Sequence, residues 1–72
     1  MSQLKVDFGK RLQYLRTQAG LSQYQVAVQV GVTVESISNM ERGIHGPKFD
    51  TLEKLAQVLE VPVGALFDFG GS

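Results

Sequence analysis

Apolar residues return at Leu4, Phe8, Leu12, Leu15 and Ala19, a spacing of 4, 4, 3 and 4 that marks one face of a helix. Lys5, Lys10, Arg11, Gln13 and Gln18 fill the remainder of that stretch. Gly9 interrupts it. A glycine there costs about 0.5–1 kcal/mol against alanine, so another element is expected to pass close by. Gly20 supplies the left-handed residue that ends the helix.

Ser22-Gln23-Tyr24-Gln25 fits a capping box, in which the serine hydroxyl accepts the backbone N–H three residues on and Gln25 reaches back. The short helix it opens turns Val26, Ala27 and Val30 inward and stops at Gly31. Thr33 is the expected N-cap of a third helix. Ile37 and Met40 are its inward pair, Val34 lies beside that stripe and partly exposed, and Gly43 ends it. Ile44-His45-Gly46-Pro47 reads as a loop. Asp50-Thr51-Leu52-Glu53 reads as a second capping box, opening a helix with Leu52, Leu55, Ala56 and Leu59 on one face. Pro62 suits the first turn of a final short helix carrying Val63, Leu66 and Phe67. The pattern predicts five helices and no strand: an all-α single domain over residues 4–69, with residues 70–72 a flexible tail.

Composition narrows the function more than the fold. Seventy-two residues, 43% of them hydrophobic, suffice for one compact domain. Without cysteine there is no disulfide or thiolate metal site. With no apolar run of bilayer length and no signal-peptide pattern, a cytoplasmic protein is expected. One histidine, His45, and no glycine-rich phosphate cradle argue against an enzyme, a metal site or a cofactor. Net charge is zero, but its distribution is uneven. Residues 1–48 carry six cations against three anions, and residues 49–72 one cation against four anions. A basic front with an acidic back suits a domain that meets a polyanion from one side.

Ala27, Gly31 and Ile37 give the central stretch its sharpest meaning. Two helices crossing at about 90–120° over a short turn need a small residue at the contact, a residue free to take positive φ, and an apolar residue filling the angle. Placing Ile37, Met40 and Glu41 toward the core leaves Glu35, Ser38, Asn39 and Arg42 on the opposite face. By periodicity alone that face is an ordinary solvated surface.

The chain resembles the Cro and phage-repressor (XRE-type) family of helix-turn-helix DNA-binding domains from about Phe8 to Phe67. The likeness is carried by Gly9, Leu12, Leu15 and Arg16, then Gly20-Leu21-Ser22-Gln23, Val26-Ala27 and Gly31-Val32-Thr33. It continues through Ile37, Glu41-Arg42-Gly43, Pro47, Leu52, Leu55-Ala56, Leu59 and Leu66-Phe67. The resemblance implies a compact five-helix bundle, a lambda-repressor-like DNA-binding domain whose third helix enters the major groove of double-stranded DNA. It departs from the pattern at Val26, where leucine is usual.

On that resemblance, base contacts fall to Val34, Glu35, Ser38 and Asn39. Glu35 would accept from a cytosine amino group, Asn39 would pair with adenine, and Val34 would touch a thymine methyl. Phosphate contacts fall to Gln23, Thr33, Ser36, Arg42 and Lys48. Arg16 and Glu41 are expected to form a structural salt bridge. Val63, Leu66, Phe67 and Phe69 are expected at a homodimer interface, since one recognition helix reads few base pairs, with capping of the domain's own core the alternative for Leu66 and Phe67. The implied function is a sequence-specific transcriptional regulator, a repressor dimeric on a palindromic operator. Two alternatives stand beside it: the antitoxin of a toxin–antitoxin pair, and a protein-interaction module that has lost DNA binding. Glu35 favours the last, because it repels phosphate unless a cytosine edge satisfies it.

Overall fold

The computed structural model describes residues 2–70. It is all-helical among those residues, with α1 over Gln3–Gln18, α2 over Gln23–Val30, α3 over Val34–Glu41 and α4 over Phe49–Leu59. A 3-10 helix spans Val63–Phe67 near the C-terminus. Of the expected tail, Gly71 and Ser72 lie outside the described residues, and Gly70 is an exposed turn.

The sequence signals for the helix ends operate as expected in the first half. The Ser22 hydroxyl accepts from the Gln25 N–H at 3.0 Å, and the Gln25 side chain accepts from the Ser22 N–H at 2.8 Å. Thr33 caps α3 by accepting from the Ser36 N–H at 3.0 Å. Gly31 takes φ +88° between α2 and α3, a conformation that would strain most side chains.

The core forms where the inward faces meet. Phe8 and Leu12 of α1 join Val26, Ala27 and Val30 of α2, Ile37 and Met40 of α3, and Leu55, Ala56 and Leu59 of α4, with Leu66 closing one end. α1 lies against α3 and the 3-10 helix, while α2 lies against α3 and α4. Gly9 marks the tightest crossing. A Cβ there would sit 2.6 Å from the Glu41 carbonyl oxygen, with the Met40 carbonyl also in its way.

Three expectations need correction. The apolar stripe of α1 overshoots the core: Leu4 is 57% exposed and Ala19 is exposed, because no element covers the two ends of the helix. The second capping box does not form. α4 begins at Phe49, two residues before the expected start, with Lys48 as an N-cap that makes no side-chain hydrogen bond. Asp50 therefore sits inside the first turn, where its carboxylate still complements the helix dipole without being the cap. Pro62 is the N-cap of the last helix rather than part of its first turn, and that helix is 3-10. Five residues are too few for a stable α-helix, and i→i+3 bonding suits so short a piece.

Gly9→Ala should lower stability by about 1–3 kcal/mol, since a methyl group has to push backbone aside. Helix propensity alone would give the opposite sign, so a urea titration monitored by circular dichroism separates the two effects.

Candidate nucleic-acid interface

The geometry starts from a buried ion pair. Arg16, in the last turn of α1, places Nε 2.6 Å from Glu41 Oε2 and Nη2 3.2 Å from Oε1. The side chains are only 11% and 4% exposed. Arg16 Nη1 also donates to the Leu21 carbonyl at 2.8 Å, so one guanidinium ties α1, the α1–α2 turn and the end of α3. Glu41 stands at the C-terminus of α3, the end where the helix dipole disfavours a carboxylate. The bidentate charge-assisted contact outweighs that, being among the stronger hydrogen-bond arrangements. Sequence reading reached this pair only through the family resemblance; its burial became visible in the structure.

A third donor was not foreseen. Gln23, the first residue of α2, donates from Nε2 to Glu41 Oε1 at 3.0 Å. The two residues are eighteen positions apart, and no spacing rule connects them. The backbone N–H groups of Gln23 and Tyr24 lie in the first turn of α2, ahead of the intrahelical ladder.

With Ile37, Met40 and Glu41 buried, α3 turns Val34, Glu35, Ser38 and Asn39 toward its outer face. Val34 and Glu35 are exposed, while Ser38 and Asn39 are half-buried. They occupy neighbouring positions one turn apart, so the structure brings the four base-contact candidates onto one strip. Thr33 and Ser36 flank its start, with the Thr33 oxygen already accepting the Ser36 N–H. Arg42 is exposed at the other end of α3 as its C-cap residue. Lys48 is exposed at the start of α4 and shares a shallow cleft of about 280 Å³ with Ser36, His45 and Thr51. Phe49, beside Lys48, is 85% exposed, which helical periodicity did not signal. Among the described residues no His, Cys, Asp or Glu cluster has the makings of a metal site.

The C-terminal aromatic residues divide. Leu66 is 0% exposed and belongs to the chain's own core, so the expected dimer contact through its side chain is corrected: it has no surface to offer. Phe67 stacks on Phe8 at 5.3 Å between centroids and meets Phe69 edge-on at 6.2 Å. It nonetheless stays 39% exposed, and Val63 38%. Phe69 is half-buried against the core. Arg11 pins this segment to α1 by donating from Nε to the Ala65 carbonyl at 2.8 Å. Leu4, one turn before Phe8 on α1, is a further exposed apolar residue.

Comparison with known proteins matches residues 12–66 to the helix-turn-helix family model HTH_3. The chain is 40% identical over 61 residues to the transcriptional repressor RghR of Bacillus subtilis, covering 83% of this chain and 45% of that protein. It is 36% identical over 59 residues to the cryptic phage CTXphi transcriptional repressor RstR of Vibrio cholerae, covering 82% and 53%. The chain thus spans about half the length of the curated relatives it matches. The restriction-modification controller protein C.AhdI of Aeromonas hydrophila superposes with a TM-score of 0.84 at 36% identity, over 88% of this chain and 96% of that one.

Glu41→Ala should cost about 3–5 kcal/mol, since it strands a buried guanidinium, and so remove most of the stability of a domain this small. Replacing both partners, Arg16→Met with Glu41→Leu, should recover a large part of the loss. Thermal melts of the single and double variants check this, and an equal loss in both would refute it.

Proposed function

Since the chain belongs to the Cro and phage-repressor (XRE-type) helix-turn-helix family, we propose that it is a sequence-specific DNA-binding transcriptional regulator. It acts as a repressor on a palindromic operator, as a homodimer with α3 in the major groove. The relatives RghR and RstR are named as transcriptional repressors, which supports a regulatory reading over an enzymatic one. No helix among the described residues is long and apolar enough to cross a membrane, and a cytoplasmic site of action fits this reading.

The observation that carries the proposal is the division of α3 into a fully buried side and an outer strip that is exposed at its start and half-buried at Ser38 and Asn39. Ile37 and Met40 are 0% and 1% exposed, so the helix is held firmly enough for Val34, Glu35, Ser38 and Asn39 to read bases. Asn39 pairs with adenine, Glu35 accepts from cytosine and Val34 meets a thymine methyl. Thr33, Ser36, Arg42 and Lys48 hold the phosphates on either side, and Gln23 with the first turn of α2 clamps the backbone. The exposed apolar residues Val63 and Phe67, with Phe69 against Phe67, supply the dimer contact that spaces two α3 helices by one DNA turn, about 10 bp.

Glu35 favours a second reading, a protein-interaction module without DNA affinity. Its position in the first turn of α3 weakens that argument, because a carboxylate there stabilises the helix by its dipole whatever the partner.

Anisotropy titrations of duplexes from a random pool, repeated over a salt series, test the DNA reading. With Arg42 and Lys48 from each of two protomers on phosphates, the slope of log affinity against log salt should be about −3.6. Lys48→Ala should make it shallower by about 1.8. An absence of binding at low salt would leave the interaction module. For the dimer, Val63→Lys sets like charges against each other across the two-fold axis and should shift the sedimenting species to monomer. An unchanged sedimentation coefficient removes the proposed interface.

A further inference from the structure

We infer that the cleft between α3 and the start of α4 seats one DNA phosphate, and that His45 makes its occupation depend on uptake of a proton. The inference rests on the DNA reading above and adds a ligand and a control to it. Ser36 of α3, His45 of the connecting loop, and Lys48 and Thr51 at the start of α4 line this cleft of about 280 Å³. Val32 and Met40 supply an apolar part of its lining. The fold therefore brings two hydroxyls, an ammonium and an imidazole from three segments to one place. Hydroxyls and cations are the groups that hold phosphate oxygens on DNA.

Nδ1 of His45 stands 3.4 Å from the Gly46 carbonyl oxygen. A carbonyl oxygen only accepts, so the neutral ring that satisfies it carries its proton on Nδ1. Nε2 is then a bare acceptor, and a phosphate oxygen brought to it meets a lone pair. Protonation makes both ring nitrogens donors. Nδ1 can keep the Gly46 carbonyl while Nε2 donates to the phosphate in a charge-assisted bond. The neutral ring does not offer both.

Charge around the cleft points the same way. Among the described residues, Lys48 is the other titratable group in the lining, and no carboxylate lines it. Arg42, the C-cap residue of α3, is exposed three residues before His45. Glu35 and Asp50 precede Ser36 and Thr51 in sequence but are exposed and stand outside the lining. Glu41 is engaged in the interior by Arg16. A proton added to the ring therefore gains an anionic partner when a phosphate arrives, so duplex binding and proton uptake favour one another. Histidine is the side chain whose charge ordinarily changes between about pH 5 and 8, and His45 is the one histidine of the chain.

Anisotropy titrations of the full chain with duplex DNA, at about pH 8 and about pH 6, test this. Wild-type affinity should rise about fivefold or more for each protomer as the pH falls. The slope of log affinity against log salt should steepen by about 1.8 for two protomers. His45→Gln should lose both effects and bind at either pH as the wild type does at the higher one. His45→Arg carries a fixed cation, and should bind at either pH as the wild type does at the lower one. In NMR titrations of the wild type, the midpoint of the His45 ring should rise when duplex is added. Millimolar inorganic phosphate should leave that midpoint in place; a rise equal to the duplex's would assign the cleft to free phosphate and overturn the DNA seat. An equal pH response in wild type and His45→Gln, or a ring midpoint unmoved by duplex, would refute the proposal and leave the DNA reading intact. A wild-type protein that binds no duplex at either pH would instead sink the DNA reading itself, and this inference with it.

Discussion

The buried Arg16–Glu41 pair is the constraint on which the arrangement of α1, α2 and α3 depends. Two charges withdrawn from water carry a desolvation cost that is offset only by close, multiple contacts. Glu41 receives three such contacts and Arg16 makes three. Among the described residues no buried side-chain nitrogen or oxygen lacks a partner. A pair of leucines would tolerate sliding; a forked ion pair with fixed directions does not. The geometry is thus specified more sharply than apolar packing by itself would specify it.

Around that pair the small residues permit what the charges require. Gly9 lets α1 meet the backbone at the end of α3, where any side chain would strike the Met40 and Glu41 carbonyls. Without this close approach the Arg16 fork would have further to reach. Ala27 and Ile37, 1% and 0% exposed, set the crossing of α2 and α3 from the other side. Helix α3 is therefore gripped along its inner face and at its C-terminal end. Its N-terminal turn, with Val34 and Glu35, projects outward.

Electrostatics explains how a chain of zero net charge can still be directed at a polyanion. The cations Arg42 and Lys48 bracket the loop after α3 and are exposed, whereas Glu41 is neutralised by Arg16 in the interior. Much of the acidic count lies in residues 49–72, the stretch that contains α4 and the 3-10 helix. Glu35 is the exception on the outer strip. Its helix-dipole role gives it a structural reason to be there, and cytosine recognition would give it a functional one.

Periodicity and capping chemistry, being local, were legible in the sequence. The spacing of Phe8 and Leu12, the Ser22–Gln25 box, the Thr33 cap and the inward pair Ile37 and Met40 all operate within a few residues. The failures were also local rules meeting distant facts. The Asp50 box was possible by residue type, but the chain enters α4 earlier, at Phe49. Leu66 suited a dimer contact and the domain's own core alike by residue type, and its neighbours bury it completely. The sequence by itself determined the helical elements, the central turn and the composition of the α3 strip, because each arises from bonds and faces between near neighbours. Tertiary structure alone decided that Gln23 turns its amide onto Glu41 and that Leu4 and Phe49 stand exposed. Those outcomes depend on which surfaces meet across the fold, and no interval along the chain encodes that.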